Sequence, residues 1–159
     1  MTDFIQKITP EKKRIRELKF KIYTHGSYKG LTGGWAFIVL DKFEQKSTFS
    51  GSERCVEKNR IEMMSIIEAL NWIYNYVEVK YRKFIKATVY TENVYCVNIM
   101  NEWLNEWNED LNSRPNSDLL KLLVELKEKM NVRLEWCGKT HSEYMWATQR
   151  IANDRLNEE

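Results

Sequence analysis

The sequence predicts an α/β domain in which helices flank one mixed five-stranded sheet, with three antiparallel strands followed by parallel strands. Alternating apolar residues mark three early strands joined by short connections, which is typical of an antiparallel meander. A long amphipathic helix then separates the third strand from a fourth, and such a crossover places the fourth strand parallel to a neighbour. At 159 residues, the chain has the length of one domain with a buried core.

Short apolar patterns define the three antiparallel strands. Apolar and polar residues alternate over residues 18–27, which predicts a half-buried strand that ends at Gly26-Ser27. Glycines at 30–34 predict a turn, and the apolar run 35–40 predicts a central strand covered on both faces. A third strand is predicted over residues 43–49, and a polar connection over 51–58.

The helix after this meander has the clearest apolar stripe of the sequence. Glu62 lies near its first turn, beside the stripe rather than within it. Residues 84–91 then alternate as a fourth strand, and residues 93–107 indicate one or two helices. The stripe consists of residues at the spacings of one helical face: Met63, Ile66, Ile67, Leu70, Ile73, Tyr74 and Val77.

The last third of the chain predicts two more helices around a fifth strand. Ser117 is a preferred N-cap residue and predicts a helix over residues 118–130. Residues 132–136 alternate as the fifth strand, and residues 143–159 indicate a final helix. The buried stripe of the helix over 118–130 is predicted to be Leu119, Leu122, Leu123, Leu126 and Met130.

Charge and composition narrow the possible environment. The formal net charge of +2 is close to neutral, so any nucleic-acid contact must come from a local site rather than from a generally basic surface. Cys55, Cys96 and Cys137 are widely spaced, which argues against a disulfide framework or a zinc site and favours a reducing, intracellular compartment. No apolar run is long enough to predict a membrane partner.

The N-terminal residues differ in character from the rest. Residues 1–17 are polar and charged, and we interpret them as an extension ahead of a single domain at 18–159. Two interpretations stay open for this extension, a solvated arm or a basic arm that contacts phosphates.

The first predicted strand ends in the motif Tyr23-Thr-His-Gly-Ser27. This motif resembles the Thr-Asp-Gly-Ser ending of the first strand in the type 1 ribonuclease H family, and further motifs, taken in chain order, resemble the same family. Lys58-Asn-Arg-Ile-Glu-Met63 resembles the start of its first helix. The remaining motifs that carry the resemblance are Gly33-Gly-Trp-Ala-Phe-Ile38, Tyr90-Thr-Glu-Asn-Val-Tyr95, the pair Trp103 and Trp107, Lys139-Thr-His141 and Asn153-Asp-Arg-Leu-Asn-Glu158.

The resemblance implies a ribonuclease H-like fold and an endonuclease that cleaves RNA in RNA–DNA hybrids with two Mg²⁺ ions held by four carboxylates. It also implies that His141 assists proton transfer or product release. Asp154 is an alternative register for the last carboxylate position. The four carboxylate positions fall on His25, Glu62, Glu92 and Asn157.

Of these four positions, only the one at Glu62 holds the residue type that the resemblance leads us to expect. His25 stands where one carboxylate bridges both ions, and a neutral imidazole has one available nitrogen and is a poor Mg²⁺ ligand. The formal charge of the four positions falls from roughly −4 to roughly −2. We therefore expect lost or strongly reduced nuclease activity and no metal cofactor, with Mg²⁺ or Mn²⁺ at Glu62 and Glu92 if activity remains.

The expected partner is nucleic acid, either RNA–DNA hybrid or structured RNA. Glu57 and Val94 replace residues that favour phosphate and RNA contacts in the family, so the substrate surface is only partly kept. Two other functions stay open, an active nuclease with a modified site and a protein-interaction module that reuses the fold. We predict the nucleic-acid contacts at Gly26, Ser27, Lys58, Asn59, Asn93 and Tyr95.

The sequence leaves several properties of the protein open. It does not identify a protein partner or an oligomeric state. A compact domain rich in lysine and asparagine is compatible with a viral or mobile-element origin, which we keep as a hypothesis.

Overall fold

The sheet is mixed and has five strands in the order β3-β2-β1-β4-β5. The computed structural model describes residues 17–55, 57–106, 110–138 and 142–157. β1, β2 and β3 pair antiparallel, β4 pairs parallel with β1, and β5 pairs parallel with β4. The predicted fold class is therefore confirmed. The strands are β1 (Leu18–Lys29), β2 (Thr32–Leu40), β3 (Lys46–Arg54), β4 (Ile85–Thr91) and β5 (Asn131–Trp136).

Helices cover both faces of this sheet. The long helix α1 (Lys58–Tyr76) packs on β1 and β2 and contacts α4 (Ser117–Lys129), whereas α5 (Glu143–Arg155) packs on β1 and β2 as well. An added Cβ at Gly33 would meet Ile61 of α1 and one at Gly34 would meet Ala152 of α5, so the two helices lie on opposite faces. The other helical segments are α2 (Val94–Asn98), a π-helical turn (Ile99–Trp103), α3 (Leu104–Glu106) and 3-10 turns at Val79–Phe84 and Leu111–Ser113.

The main core lies between the sheet, α1 and α4. The predicted α1 stripe is largely buried there, and Met63, Ile66, Leu70 and Ile73 are fully covered. The α4 prediction was wrong at one position: Leu122 is 41% exposed, and Leu120 takes its place in the core. The predicted N-cap of α4 was also displaced, because the helix includes Ser117 and the N-cap is Asn116, whose φ is +61°.

The boundaries of the antiparallel strands differ from the prediction. β1 continues to Lys29, so His25 lies inside the strand, opposite Ala36 of β2, rather than at a strand end. β3 covers Lys46–Arg54 instead of residues 43–49. The Asp41 side chain explains this shift, because its Oδ1 accepts from the amides of residues 43 and 45 and holds that segment in a turn.

Glycines of β2 were misread as a turn. Gly34 belongs to the strand, and a Cβ added there would lie 2.3 Å from the carbonyl oxygen of Ala152 in α5. Glycine at position 34 therefore allows α5 to pack closely on the sheet. It does not serve a reversal of the chain.

Two further predictions concern the ends of the chain and the cysteines. The extension at residues 1–16 lies outside the described residues, whereas Glu17 contacts Lys86 through Oε2 and Nζ, 3.2 Å apart. The three cysteines are free thiols, as expected. In the described parts of the chain, no helix has the length and apolar character that crossing a membrane requires.

Candidate functional site

Three of the four predicted site positions meet where α1 crosses β1 beside the end of β4. His25 Nδ1 lies 3.6 Å from Glu62 Oε1 and 3.8 Å from Glu92 Oε1. Parallel pairing of β1 with β4 places Glu92, the residue after Thr91, next to the second half of β1. A Cβ at Gly26 would lie 2.6 Å from the carbonyl carbon of Ile61, so glycine is what lets the first turn of α1 approach the strand.

Glu62 is a buried carboxylate with several partners. Its side chain is 2% exposed, and Oε1 accepts a hydrogen bond from the amide of Gly26. Thr91 Oγ1 lies 3.5 Å from Oε2, and Lys58 Nζ lies 3.7 Å from Oε1. Burial raises the pKa of Glu62 to about 7, and Glu92 also raises it, whereas Lys58 and the Gly26 amide lower it. The carboxyl group therefore titrates near neutral pH.

His25 is held beside these two carboxylates without a hydrogen bond at Nδ1. Its side chain is 12% exposed, and Nδ1 is a buried nitrogen with no hydrogen-bond partner. Burial lowers the pKa of His25 to about 4, and the Lys58 ammonium lowers it further. The imidazole is therefore neutral at physiological pH, and it offers the site one lone pair and no negative charge.

Lys58 brings a positive charge to the same place. Its Nζ donates to the carbonyl oxygen of Gly26 at 2.5 Å and lies 3.7 Å from Glu62 Oε1. The Lys58 side chain is 47% exposed, so the ammonium sits at the boundary between the site and solvent. The Gly26 residue thus links the two groups, because its amide donates to Glu62 and its carbonyl accepts from Lys58.

Gln149 of α5 is the site residue that the sequence analysis missed. Its Nε2 donates to Glu92 Oε1, which holds that carboxylate toward α5. The backbone carbonyl of Glu92 accepts from Trp136 Nε1 at 3.3 Å. A signal did exist, because Gln149 precedes the predicted Asn157 by about two helical turns and presents a similar amide group.

The structure does not bring Asn157 to this group. Asn157 follows the end of α5, is exposed, and donates through Nδ2 to the carbonyl of Asn153 at 3.4 Å. Asn157 is eight residues beyond Gln149, which at the rise of an α-helix would be about 12 Å along the axis. Asp154, the alternative register, is exposed and lies about 140° around the helix from Gln149. Asn153 shares the Gln149 face, and both residues line one cavity.

The predicted nucleic-acid contacts surround the first turn of α1. Asn93 Nδ2 donates to Asn59 Oδ1 at 2.9 Å, and Asn93 Oδ1 caps α2 by accepting from the Cys96 amide at 3.0 Å. Tyr95 is half-buried and packs edge-on against Trp103, with ring centroids 5.8 Å apart. The two amides therefore form one fixed, partly exposed pair, whereas Tyr95 contributes mainly packing.

Ser27 forms no hydrogen bond with these groups. Ser27 Oγ is buried and has no hydrogen-bond partner, so its hydroxyl is turned away from the surface. His141 and Trp107, the other predicted functional residues, lie outside the described residues.

Glu57 has a structural role that the sequence analysis did not foresee. Its carboxylate is the N-cap of α1 and accepts from the amides of Asn59 and Arg60 at 2.9 and 3.1 Å. Oε2 also accepts from Asn116 Nδ2 at 3.0 Å, which ties α1 to the start of α4. Arg60 strengthens this junction through two hydrogen bonds to Asp118, at 3.0 and 2.7 Å. The Glu57 carboxylate therefore occupies the N-terminus of α1, where the helix amides attract negative charge.

Comparison with known proteins gives one consistent family. A family model described as RNase H matches residues 17–156. Ribonuclease H of Campylobacter jejuni strain 81-176 is 31% identical over 128 residues, which is 79% of this chain and 81% of the relative. Ribonuclease H of a Thermoanaerobacter species is 29% identical over 148 residues, which is 86% of this chain and 88% of the relative.

Solved structures with the same fold are more distant in sequence. LC9-RNase H1, described as a type 1 RNase H with the type 2 active-site motif, superposes with a TM-score of 0.73 at 18% identity over 89% of this chain and 73% of its own. LC11-RNase H1, solved in complex with an RNA/DNA hybrid, gives a TM-score of 0.66 at 13% identity over 87% of this chain and 97% of its own. Both superpositions support the fold.

Proposed function

The chain belongs to the ribonuclease H family, and on that premise we propose that it binds nucleic acid and has lost, or strongly reduced, nuclease activity. RNA–DNA hybrid is the first candidate ligand and structured RNA the second. The observation that carries the proposal is the neutral His25 imidazole placed 3.6 and 3.8 Å from Glu62 and Glu92. An imidazole in that position cannot bridge two divalent ions as a carboxylate does.

The donor set at this position does not suit a pair of Mg²⁺ ions. It comprises two carboxylates, one imidazole and the amide of Gln149, and that amide already donates to Glu92. Mg²⁺ prefers oxygen ligands in near-octahedral geometry, and two such ions need several negative charges between them. The raised pKa of Glu62 lowers the negative charge that this carboxyl group offers at neutral pH. The residues present therefore do not fit a pair of Mg²⁺ ions.

Lys58 supports the same conclusion because it already supplies a cation. Its ammonium contacts the Gly26 carbonyl and lies 3.7 Å from Glu62 Oε1. A monovalent ammonium at this distance partly neutralises the buried carboxylate, and it repels a second cation that approaches the same oxygen. We infer that Lys58 acts as a built-in counter-ion for Glu62.

Support for nucleic-acid binding comes from the surface next to this group. The Asn59–Asn93 amide pair is fixed and partly exposed at the N-terminal end of α1, and the half-exposed Lys58 lies beside it. LC11-RNase H1, which has the same fold, binds an RNA/DNA hybrid. A hybrid would be recognised by its 2′-hydroxyl groups and phosphates, which amide and ammonium groups can contact.

Binding and cleavage can be tested on the same samples. Hybrid, duplex RNA and duplex DNA of one sequence are titrated with the protein at several salt concentrations in EDTA, followed by addition of Mg²⁺ or Mn²⁺. The proposal predicts salt-dependent binding of hybrid without metal and little cleavage on metal addition. Absence of affinity for all three ligands would refute it, and cleavage lost in Glu62→Gln would show that the nuclease is active.

A protein-interaction module is the second candidate function. Two observations favour it: the Glu57 carboxylate occupies the helix N-terminus that would otherwise attract phosphate, and Val94 next to the site is 50% exposed. Recovery of a stoichiometric protein partner together with absence of nucleic-acid affinity would support this function over the first.

A further inference from the structure

Trp136, at the end of β5, holds its indole ring in a fixed orientation beside the candidate site. The residue is 56% exposed, and its Nε1 donates to the backbone carbonyl of Glu92 at 3.3 Å. Gly138, with φ of +51°, lies against the ring, since a Cβ added there would approach three ring atoms at 2.8 to 3.0 Å. The ring is therefore pinned by one edge and supported by the glycine backbone, while more than half of its surface stays in contact with solvent.

Trp146 provides a second exposed indole, on the helix that contacts the Glu92 side chain. It is 63% exposed and lies on α5, three residues before Gln149, whose amide donates to Glu92 Oε1. One helical turn therefore connects this ring to the side chain of Glu92, as the Trp136 hydrogen bond connects the other ring to its backbone.

A cavity of about 560 Å³ opens next to Trp146. Its lining combines the indole with the amides of Gln149 and Asn153, with Arg150, and with the Glu143 carboxylate in the first turn of α5. The space is large enough for a nucleobase with its sugar. Amides and a guanidinium are the groups that bind base edges and phosphates.

We propose that Trp136 and Trp146 form a base-stacking subsite for unpaired nucleotides of a strand that passes Glu92. Exposed aromatic rings next to cationic and amide groups are the usual means by which proteins bind single strands without sequence preference. Each ring is connected to Glu92, Trp136 by its own hydrogen bond and Trp146 through Gln149 on the same helix, so a strand that passes Glu92 would come near both rings. The subsite deepens the proposed function and rests on it for the identity of the ligand as nucleic acid.

The test uses short oligonucleotides, because base stacking and phosphate contacts respond differently to removal of a base. Oligothymidylate, oligouridylate and the same oligomers with abasic positions are titrated against the full chain, with fluorescence anisotropy and tryptophan quenching as readouts. Trp146→Ala is compared with Trp146→Phe, which keeps a stacking ring. Val79→Ala serves as a matched control, since Val79 is 74% exposed and follows the far end of α1.

The subsite predicts about tenfold weaker binding for Trp146→Ala, a smaller loss for Trp146→Phe and no change for Val79→Ala. It also predicts that the abasic oligomers bind the wild-type protein about as weakly as intact oligomers bind Trp146→Ala. Trp136→Ala should give a loss of similar size. Equal affinity for intact and abasic oligomers would overturn the subsite.

The outcomes separate this inference from the proposed function. Hybrid binding that is unaffected by the tryptophan substitutions would leave the proposed function intact and refute the subsite. Base-dependent binding of single strands without any affinity for hybrid would support the subsite and argue against hybrid as the ligand. Absence of binding to hybrid and single strands alike would refute both.

Discussion

Replacing Lys58 with methionine tests whether its ammonium is the counter-ion of Glu62. Methionine keeps the length and the apolar stem of lysine but carries no charge. The substitution should raise the pKa of Glu62 above its value of about 7, since Lys58 favours the charged carboxylate. It should also raise the pKa of His25, because the ammonium repels a protonated imidazole. The pKa values of both groups should therefore rise, although the charged forms of the two groups have opposite signs.

The size of the effect follows from the distance and the exposure of Lys58. Two unit charges 3.7 Å apart interact by about 1 kcal/mol in water and by about 4 kcal/mol at an effective dielectric constant of 20. The Lys58 side chain is 47% exposed, so the value for this pair lies near the lower limit, at about 1 to 2 kcal/mol. This corresponds to roughly a tenfold change in the acid dissociation constant, so the Glu62 pKa should rise clearly above its value of about 7.

NMR titration of the side-chain carboxyl carbons and the imidazole protons, in buffer with EDTA, measures both pKa values. Lys86→Met is the matched control, since the Lys86 side chain is 45% exposed and pairs with Glu17 rather than with the site. The control should leave both pKa values unchanged. An unshifted Glu62 pKa in Lys58→Met, or an equal shift in Lys86→Met, would refute the counter-ion role.

Three further substitutions probe the burial, packing and charge of the site. The raised pKa of Glu62 gives the wild-type protein a stability contribution that is complete below pH 4.5 and is lost as pH rises through about 7. The Glu62→Gln variant lacks this loss, so its free energy of unfolding should rise relative to that of the wild type by about 3 kcal/mol between pH 4.5 and 8. Parallel pH curves for the two proteins, from denaturant unfolding in EDTA, would contradict this. Gly34→Ala should lower the free energy of unfolding by about 1 to 3 kcal/mol, because its Cβ would lie 2.3 Å from the Ala152 carbonyl, and an unchanged melting temperature would show that α5 does not pack as described. Glu57→Thr keeps an N-cap oxygen but removes the carboxylate, so it should bind hybrid more tightly with a stability change below about 1 kcal/mol; affinity equal to wild type across a salt series would show that Glu57 does not repel phosphate.

The fold was predictable because its signals are local and regular. The apolar stripe of α1 repeats every three to four residues, and the alternation in β1 and β4 repeats every two residues. Each pattern matches the face of the element that the structure buries. The crossover from β3 through α1 to β4 then left parallel pairing of β4 as the expected arrangement, as observed.

The errors arose where tertiary contacts override a local pattern. Gly33 and Gly34 looked like a turn because nothing in the sequence shows that Ile61 and Ala152 press against their backbone. The predicted buried face of α4 was wrong at one position for the same reason. A helix with apolar residues at both 120 and 122 can turn either of them inward, and the packing of the helix decides which.

The candidate site was predictable only in part. His25, Glu62 and Glu92 were found because each lies within a recognisable motif, and the structure brings both carboxylates within 4 Å of His25. Gln149 and Asn157 are about two helical turns apart in the sequence. Which of them reaches the site depends on how the loop before α5 positions that helix along its axis, and local sequence patterns do not show this. The N-cap role of Glu57 was missed because it involves Asn116, which is distant in sequence.

The central claim is that this domain binds nucleic acid without the metal chemistry of its family. It is tested most directly by incubating the protein with end-labelled RNA–DNA hybrid, in EDTA and in Mg²⁺ or Mn²⁺, and by measuring retained complex and RNA length in the same samples. We predict that the complex forms without metal and that the RNA stays intact under both conditions, at matched ionic strength. Metal-dependent cleavage that Glu62→Gln abolishes would contradict the claim.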